Sequence, residues 1–251
     1  MEHSEVIAIH SVDFSLQERP ILSNVTLEIS EKRVGLIGCN GSGKTSLLRM
    51  IAGLQEPDKG SVKIKGVDVA KDRQQAISTV GLIFQNPDHQ IIFPTVEEEI
   101  AFGLESQLGD KAEAIRKANE ILEAFGRSHW AALGTHMLSQ GQRHLVCLMS
   151  VLAMKPSVIL LDEPYAGLDW PTSSALYQWL EGLDQQIVLI THDLEHLRNF
   201  DRIIWLDDGK LAMDGTPETV LTAYVKEMKL RGYSDLTPET MQRSEISKLG
   251  A

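Results

Sequence analysis

The sequence predicts an α/β fold: a mainly parallel sheet flanked by helices, with an antiparallel β subdomain and a helical subdomain attached. Three observations carry this expectation. In the C-terminal half, helical patterns at 140–154 and 172–183 alternate with short apolar runs at 158–161 and 187–190, the order expected of parallel strands joined by crossover helices. Near the N-terminus, 6–14 and 21–29 are rich in β-branched and apolar residues and lie close enough in sequence to pair antiparallel. Between Gln85 and Leu138 the character changes to helices.

In chain order, Val25, Leu27 and Ile29 alternate along the second strand before a turn at Ser30, Glu31 and Lys32. Residues 33–37 read as a short buried strand, and Leu47, Leu48 and Ile51 place an apolar face on a helix over 44–53. Pro57-Asp58-Lys59-Gly60 is a turn, 61–65 a strand followed by a hairpin-like Gly66, and 80–84 a buried strand ending at Gln85. Thr95-Val96-Glu97-Glu98 has the form of a capping box, and Ala114, Ala118, Ile121 and Leu122 give 110–125 an apolar face. Past the alternating segment, 202–206 and 211–214 form a hairpin over Asp207-Asp208-Gly209, and Thr216 caps a helix with Pro217 at its first position. From Gly232 the chain is polar; Thr237-Pro238-Glu239 caps one more short helix, or the segment is disordered. The expected division is one domain over 1–231, with its helical subdomain at about 86–157, and a short C-terminal tail over 232–251.

At 251 residues and 43% hydrophobic content the chain can bury a sizeable core. Its net charge of −11 argues against binding nucleic acid through its phosphates, which requires clustered Lys and Arg. Cys39 and Cys147 are far apart and the first lies in a glycine-rich loop, so a structural disulfide is not expected and a reducing cytoplasm fits. The opening Met1-Glu2-His3-Ser4-Glu5 has no basic segment followed by an apolar one, and no apolar run approaches the roughly 20 residues that span a bilayer. Any membrane role is therefore expected to be peripheral.

Two stretches carry chemistry. Gly38-Cys39-Asn40-Gly41-Ser42-Gly43-Lys44-Thr45 has the spacing of a phosphate-binding loop between strand and helix. Its glycines let backbone N–H groups curl around phosphate oxygens, Lys44 reaches the terminal phosphates, and Thr45 offers a magnesium ligand. Asn40, Gly41, Ser42, Gly43, Lys44, Thr45 and Ser46 are the nucleotide-binding candidates. Asp162-Glu163 ends the apolar run 158–161 at the sheet edge where open α/β folds place ligands. Asp162 would hold Mg2+, directly or through water, leaving Glu163 to polarise an attacking water. Leu138-Ser139-Gln140-Gly141-Gln142 is on its own a good helix start, with Ser139 as cap and Gln142 at the third helical position.

The order phosphate loop, Gln85, Ser139 segment, Asp162-Glu163, Asp169 and His192 resembles the ATP-binding cassette (ABC) ATPases across nearly the whole chain. The resemblance implies a P-loop NTPase with a RecA-like core that hydrolyses ATP with Mg2+. It implies Glu163, His192 and Gln85 as catalytic residues, and Thr45, Gln85 and Asp162 around the metal. Ser139, Gly141 and Asp169 would complete the nucleotide site of a second chain, either a copy of this one or a paralogous ATPase. The family usually has Gly where this chain has Gln140, and often an adenine-stacking aromatic where this chain has Leu16, with Phe14 two residues earlier.

Residues 86–103 resemble a segment of the ATPases of energy-coupling-factor importers, which take up vitamins and transition-metal ions. That implies an integral-membrane coupling protein and a substrate-binding membrane protein as partners, no nucleic acid, and a peripheral place on the cytoplasmic face of the membrane. Among these ATPases the chain looks closest to the subunit that serves biotin, with cobalt, nickel or other vitamin importers as alternatives. A soluble cassette ATPase acting on nucleic acid or ribosomes is the contrasting class. Its members typically carry tandem cassettes or a long coiled-coil insertion, which this chain lacks.

Overall fold

A computed structural model describes residues 7–236. The first strands, β1 (Ile7–Leu16) and β2 (Arg19–Ile29), pair antiparallel, and Ile7, Ile9, Val12 and Phe14 of β1 all turn inward. Next come β3 (Arg33–Ile37), α1 (Lys44–Ile51), β4 (Lys59–Ile64) and the short β5 (Val67–Asp68). The strands β2-β1-β4-β5 form a four-stranded antiparallel sheet, the expected β subdomain. A helix not expected from the sequence, α2 (Arg73–Thr79), leads into β6 (Val80–Ile83).

Every regular helix or strand between β6 and β7 (Val158–Asp162) is helical: α3 (Val96–Leu108), α4 (Lys111–Ala124) and α5 (Gln140–Ala153). Asp110 caps α4 through its carboxylate, and Ser139 and Gln142 form both halves of the capping box on α5. At α3 the expected box does not form. The Thr95 hydroxyl donates to Glu98 Oε2 at 2.6 Å instead of accepting a backbone N–H. Glu99, one residue further, is buried and accepts from the Ile92 and Phe93 N–H groups at 2.8 and 2.9 Å, which fixes the approach to the helix.

The remaining elements are α6 (Trp170–Glu181), β8 (Gln186–Ile190), β9 (Arg202–Asp207), β10 (Lys210–Gly215) and α7 (Pro217–Leu236). The second sheet has the order β10-β9-β3-β8-β7-β6, parallel except for the β9–β10 hairpin. Because side chains alternate along a strand, β7 sends Ile159 and Leu161 into a core shared with the helical subdomain. Val158 and Leu160 enter the other core, shared with α1 and the antiparallel sheet. Burial on both faces explains why these strands are continuously apolar, each such side chain contributing about 1.5–3 kcal/mol.

One boundary moves. α7 continues through Gly232 to Leu236, so the expected break between 231 and 232 falls inside a helix. Arg231 in its last turns holds the end of β9 through a two-point contact to Asp207 at 2.9 and 2.6 Å. The short helix considered at Thr237 lies outside the described residues.

Candidate functional site

Four neighbouring parallel strands end on one edge of the second sheet, and each delivers a candidate residue there. β3 runs into Gly38, β6 into Gln85, β7 into Asp162-Glu163, and β8 into Thr191-His192. After β3 the backbone must turn tightly, and glycine alone allows it at two points. Gly38 has φ 149°, and a Cβ there would sit 2.1 Å from the Leu206 carbonyl oxygen. Gly43 has φ 97°, and a Cβ would meet Leu22 Cδ2 at 2.5 Å.

The loop so formed opens into a cleft of about 260 Å³. Asn40, Gly41, Gly43, Lys44, Thr45 and Ser46 line one wall, and Gln85, Asp162, Glu163 and His192 the other. Ser42 is buried behind the loop, its hydroxyl without a hydrogen-bond partner. Lys44 is buried, and its ammonium donates to the Gly38 and Cys39 carbonyls at 2.8 and 2.9 Å. Burial pulls its pKa down while the charge of Glu163 pushes it back up. The ammonium is thus held within the loop's own curve, where polyphosphate oxygens would compete for its donors.

Thr45 Oγ1 donates to Asp162 Oδ1 at 3.3 Å, linking the phosphate loop to β7. Burial raises the Asp162 pKa, with the Thr45 hydrogen bond opposing it. Glu163 occupies the left-handed region with φ 50°, a strained conformation for a residue with a Cβ, costing on the order of 1–3 kcal/mol. The neighbouring β8 end holds it there. The Glu163 N–H donates to the Ile190 carbonyl at 2.9 Å, and its Oε2 accepts from the His192 N–H at 3.2 Å. Oε1 stands 3.3 Å from His192 Nε2 without hydrogen-bond alignment and is buried without a hydrogen-bond partner. Burial is also the main cause of the raised Glu163 pKa, with the nearby His192 opposing it. A carboxylate with an unspent, desolvated oxygen beside a cationic loop is suited to accept a proton or to orient water.

Ser139, Gly141 and Asp169 are not part of this cleft. Ser139 and Gly141 border a separate hollow of about 470 Å³ with Trp130, Trp179 and Arg127. Asp169 caps α6, accepting from the Thr172 N–H at 3.0 Å, and that bond holds its carboxyl below the ordinary range. Gln140 donates from Nε2 to the Ala166 carbonyl at 3.2 Å, a contact that glycine at this position would lack. At the end of β1, Phe14 is buried in the core, whereas Leu16 is exposed. Sequence reasoning passed over His144, the buried polar residue of the apolar helix α5, whose pKa burial lowers. Its only signal was a polar side chain on the buried face of α5.

The family profile described as ABC transporter matches residues 22–166. The biotin transport ATP-binding protein BioM of Rhodobacter capsulatus is 49% identical over 225 residues, covering 90% of this chain and 96% of that protein. An energy-coupling factor transporter ATP-binding protein of Caldanaerobacter subterraneus is 39% identical, covering 86% of this chain and 82% of its own. Among solved structures, the dimeric post-hydrolysis state of the ATP-binding cassette MJ0796, bound to ADP and Pi, superposes with a TM-score of 0.74. It is 28% identical and covers 84% of this chain and 98% of that one.

Proposed function

The chain belongs to the ABC transporter family and is an ATPase, and we propose that it is the energy-coupling subunit of a membrane importer for biotin. The observation that carries the reading is the 49% identity, over nearly the whole length of both chains, to a protein named for biotin transport, on a chain whose strand ends gather one phosphate cleft. In the cleft, Lys44 and the backbone N–H groups of the loop bind the polyphosphate. Glu163 takes the water proton at Oε1, and His192 steadies Glu163 from the adjoining strand end.

The donor set fits Mg2+: the Thr45 hydroxyl, the Asp162 carboxylate and the Gln85 carboxamide are hard oxygen ligands on the walls of one cleft. Phosphate oxygens and waters would complete the shell, since Mg2+ is commonly held by one or two carboxylates together with substrate phosphates. When bound, the ion neutralises phosphate charge.

The separation of Ser139, Gly141 and Asp169 from Lys44 supports a second chain, a copy or a paralogue, that supplies them across an interface. A groove of about 600 Å³ between α2 and α3 supports a membrane partner. There Ile77, Ile92 and Phe102 are 60%, 73% and 50% exposed, an apolar surface suited to an integral-membrane coupling protein. A separate membrane protein would bind the solute, and the ATPase would sit peripherally on the cytoplasmic face. Among the described residues no helix is long and apolar enough to cross a membrane.

The test is co-expression with the membrane partners and ATP-dependent uptake of labelled biotin against cobalt and nickel ions. Biotin accumulation is expected. Accumulation of a metal ion without biotin rejects the solute, and association with ribosomes or DNA instead of membranes rejects the importer.

A further inference from the structure

His144 lies at the second turn of α5, 1% exposed, between two elements that the proposed function uses separately. Its Nδ1 is 3.1 Å from the Gln140 carbonyl oxygen, and its Nε2 is 3.2 Å from the Gln85 carbonyl oxygen. Both neighbours are acceptors, and a neutral imidazole carries one N–H. The two carbonyls differ in their needs. Gln140 O, at the first residue of α5, faces the helical N–H of His144 four residues on. No backbone N–H bonds the Gln85 carbonyl among the described residues. The proton therefore belongs on Nε2, donating to Gln85. A second contact reinforces the same join, since Arg143 Nε is 3.0 Å from Asp88 Oδ1 while Arg143 Nη1 donates to the Leu138 carbonyl at 2.8 Å.

We propose that His144 is a positioning residue that fastens the Gln85 segment of the chain's own cleft to the helix that presents Ser139, so that the two move as one body. Gln85 is exposed, and among the described residues its hydrogen bond to α5 is the one its backbone carbonyl accepts. With the imidazole in place, any displacement of Gln85 is passed to the first turn of α5, and so to Ser139 and Gly141. Gln85 lines one hollow, and Ser139 and Gly141, on either side of Gln140, line the other, which makes His144 a physical link between the chain's own nucleotide and the one its partner holds. The inference rests on the two-chain reading of the site.

The experiment compares His144→Leu with His144→Gln in the full chain. Leu keeps volume and loses the donor; Gln keeps an amide N–H that can reach Gln85. The expected result is a kcat lowered about tenfold in His144→Leu with ATP affinity within roughly twofold, and recovery of most turnover in His144→Gln. Wild-type kcat in His144→Leu overturns the proposal, as does an equal loss in both variants. Should His144→Leu not fold, 15N spectra of histidine in the unaltered chain decide. An Nε2–H tautomer is expected, and an Nδ1–H tautomer removes the bond to Gln85 and with it the proposal. The two-chain reading fails on different grounds, namely absence of ATP-dependent dimer in Glu163→Gln, whatever His144 does.

Discussion

Replacing Glu163 by Gln removes one charge and almost no volume. The left-handed backbone at φ 50° is no worse for Gln than for Glu, because the Cβ is the same. The amide oxygen can still accept the His192 N–H that Oε2 accepts at 3.2 Å. What disappears is the proposed proton acceptor at Oε1. Loss of a general base costs roughly 10²–10⁴ in rate, or about 2.7–5.5 kcal/mol of barrier at 1.36 kcal/mol per decade. ATP binding should not weaken, since a negative charge beside the polyphosphate is gone. Glu163→Gln should therefore bind ATP, accumulate as a closed dimer in gel filtration, and hydrolyse at 1% of the wild-type rate or below, on the order of the general-base loss. A second readout follows from linkage. The folded pKa of Glu163 lies above its ordinary 4.5, so the folded state holds the proton more tightly than the unfolded chain. Stability falls as pH rises through that window, and the penalty is fully present above the folded pKa. The variant should then melt higher than wild type at neutral pH, with the difference closing as pH drops toward 4.5. Turnover within threefold of wild type, on the order of 0.7 kcal/mol, would refute the assignment.

Other substitutions separate binding, folding and partner capture. Lys44→Ala should lower ATP affinity roughly 10- to 100-fold, from the loss of a charged donor worth about 1.5–3 kcal/mol, measured by equilibrium titration. Its defect should appear in binding, unlike that of Glu163→Gln. Arg202 joins β9 to β10 and to the β2–β3 turn through Asp214 at 2.7 and 2.6 Å and Glu31 at 3.0 Å. Arg202→Ala should cost about 1–3 kcal/mol in urea unfolding, less than the 3–5 of a fully buried pair because solvent reaches one side. Phe102→Glu places a charge in the apolar groove and should abolish co-purification with the membrane partner while leaving ATP affinity unchanged.

The cleft of candidate residues was legible because they are fixed by local patterns that survive without tertiary knowledge. Gly38 to Thr45 needs a specific backbone curve, and Val158 to Asp162 must be apolar on both faces and then stop. What failed lacked such a pattern. In α2 only Ala76 is buried, so Arg73–Thr79 offers no apolar period to detect. Thr95 and Glu98 match a capping box, but sequence cannot say whether a hydroxyl donates or accepts, and here it donates to the carboxylate. From Gly232 the sequence is polar, and polarity alone reads as the end of the folded unit. α7 runs on past it, with Tyr224 edge-on against Trp205 at 5.3 Å and Arg231 anchored to Asp207 holding the helix on β9.

Ser139 shows a different limit. Its capping box with Gln142 was readable and is present, yet the same pattern serves an ordinary helix start. What lifts it above that is where the helix begins: on the border of a hollow with Trp130 and Trp179, apart from the cleft that holds Lys44. Gly141 meets Thr172 so closely that a Cβ would sit 2.5 Å from its Cγ2, which sets the first turn of α5 hard against α6 and Asp169. The first turn of α5 and the Asp169 cap of α6 are thereby packed as one surface. Motion of Ser139 alone toward Lys44 within one chain would have to break the Gln140–Ala166 bond and this packing together. A second chain brought to the cleft needs neither, and that difference favours a site shared between two chains over one that closes alone.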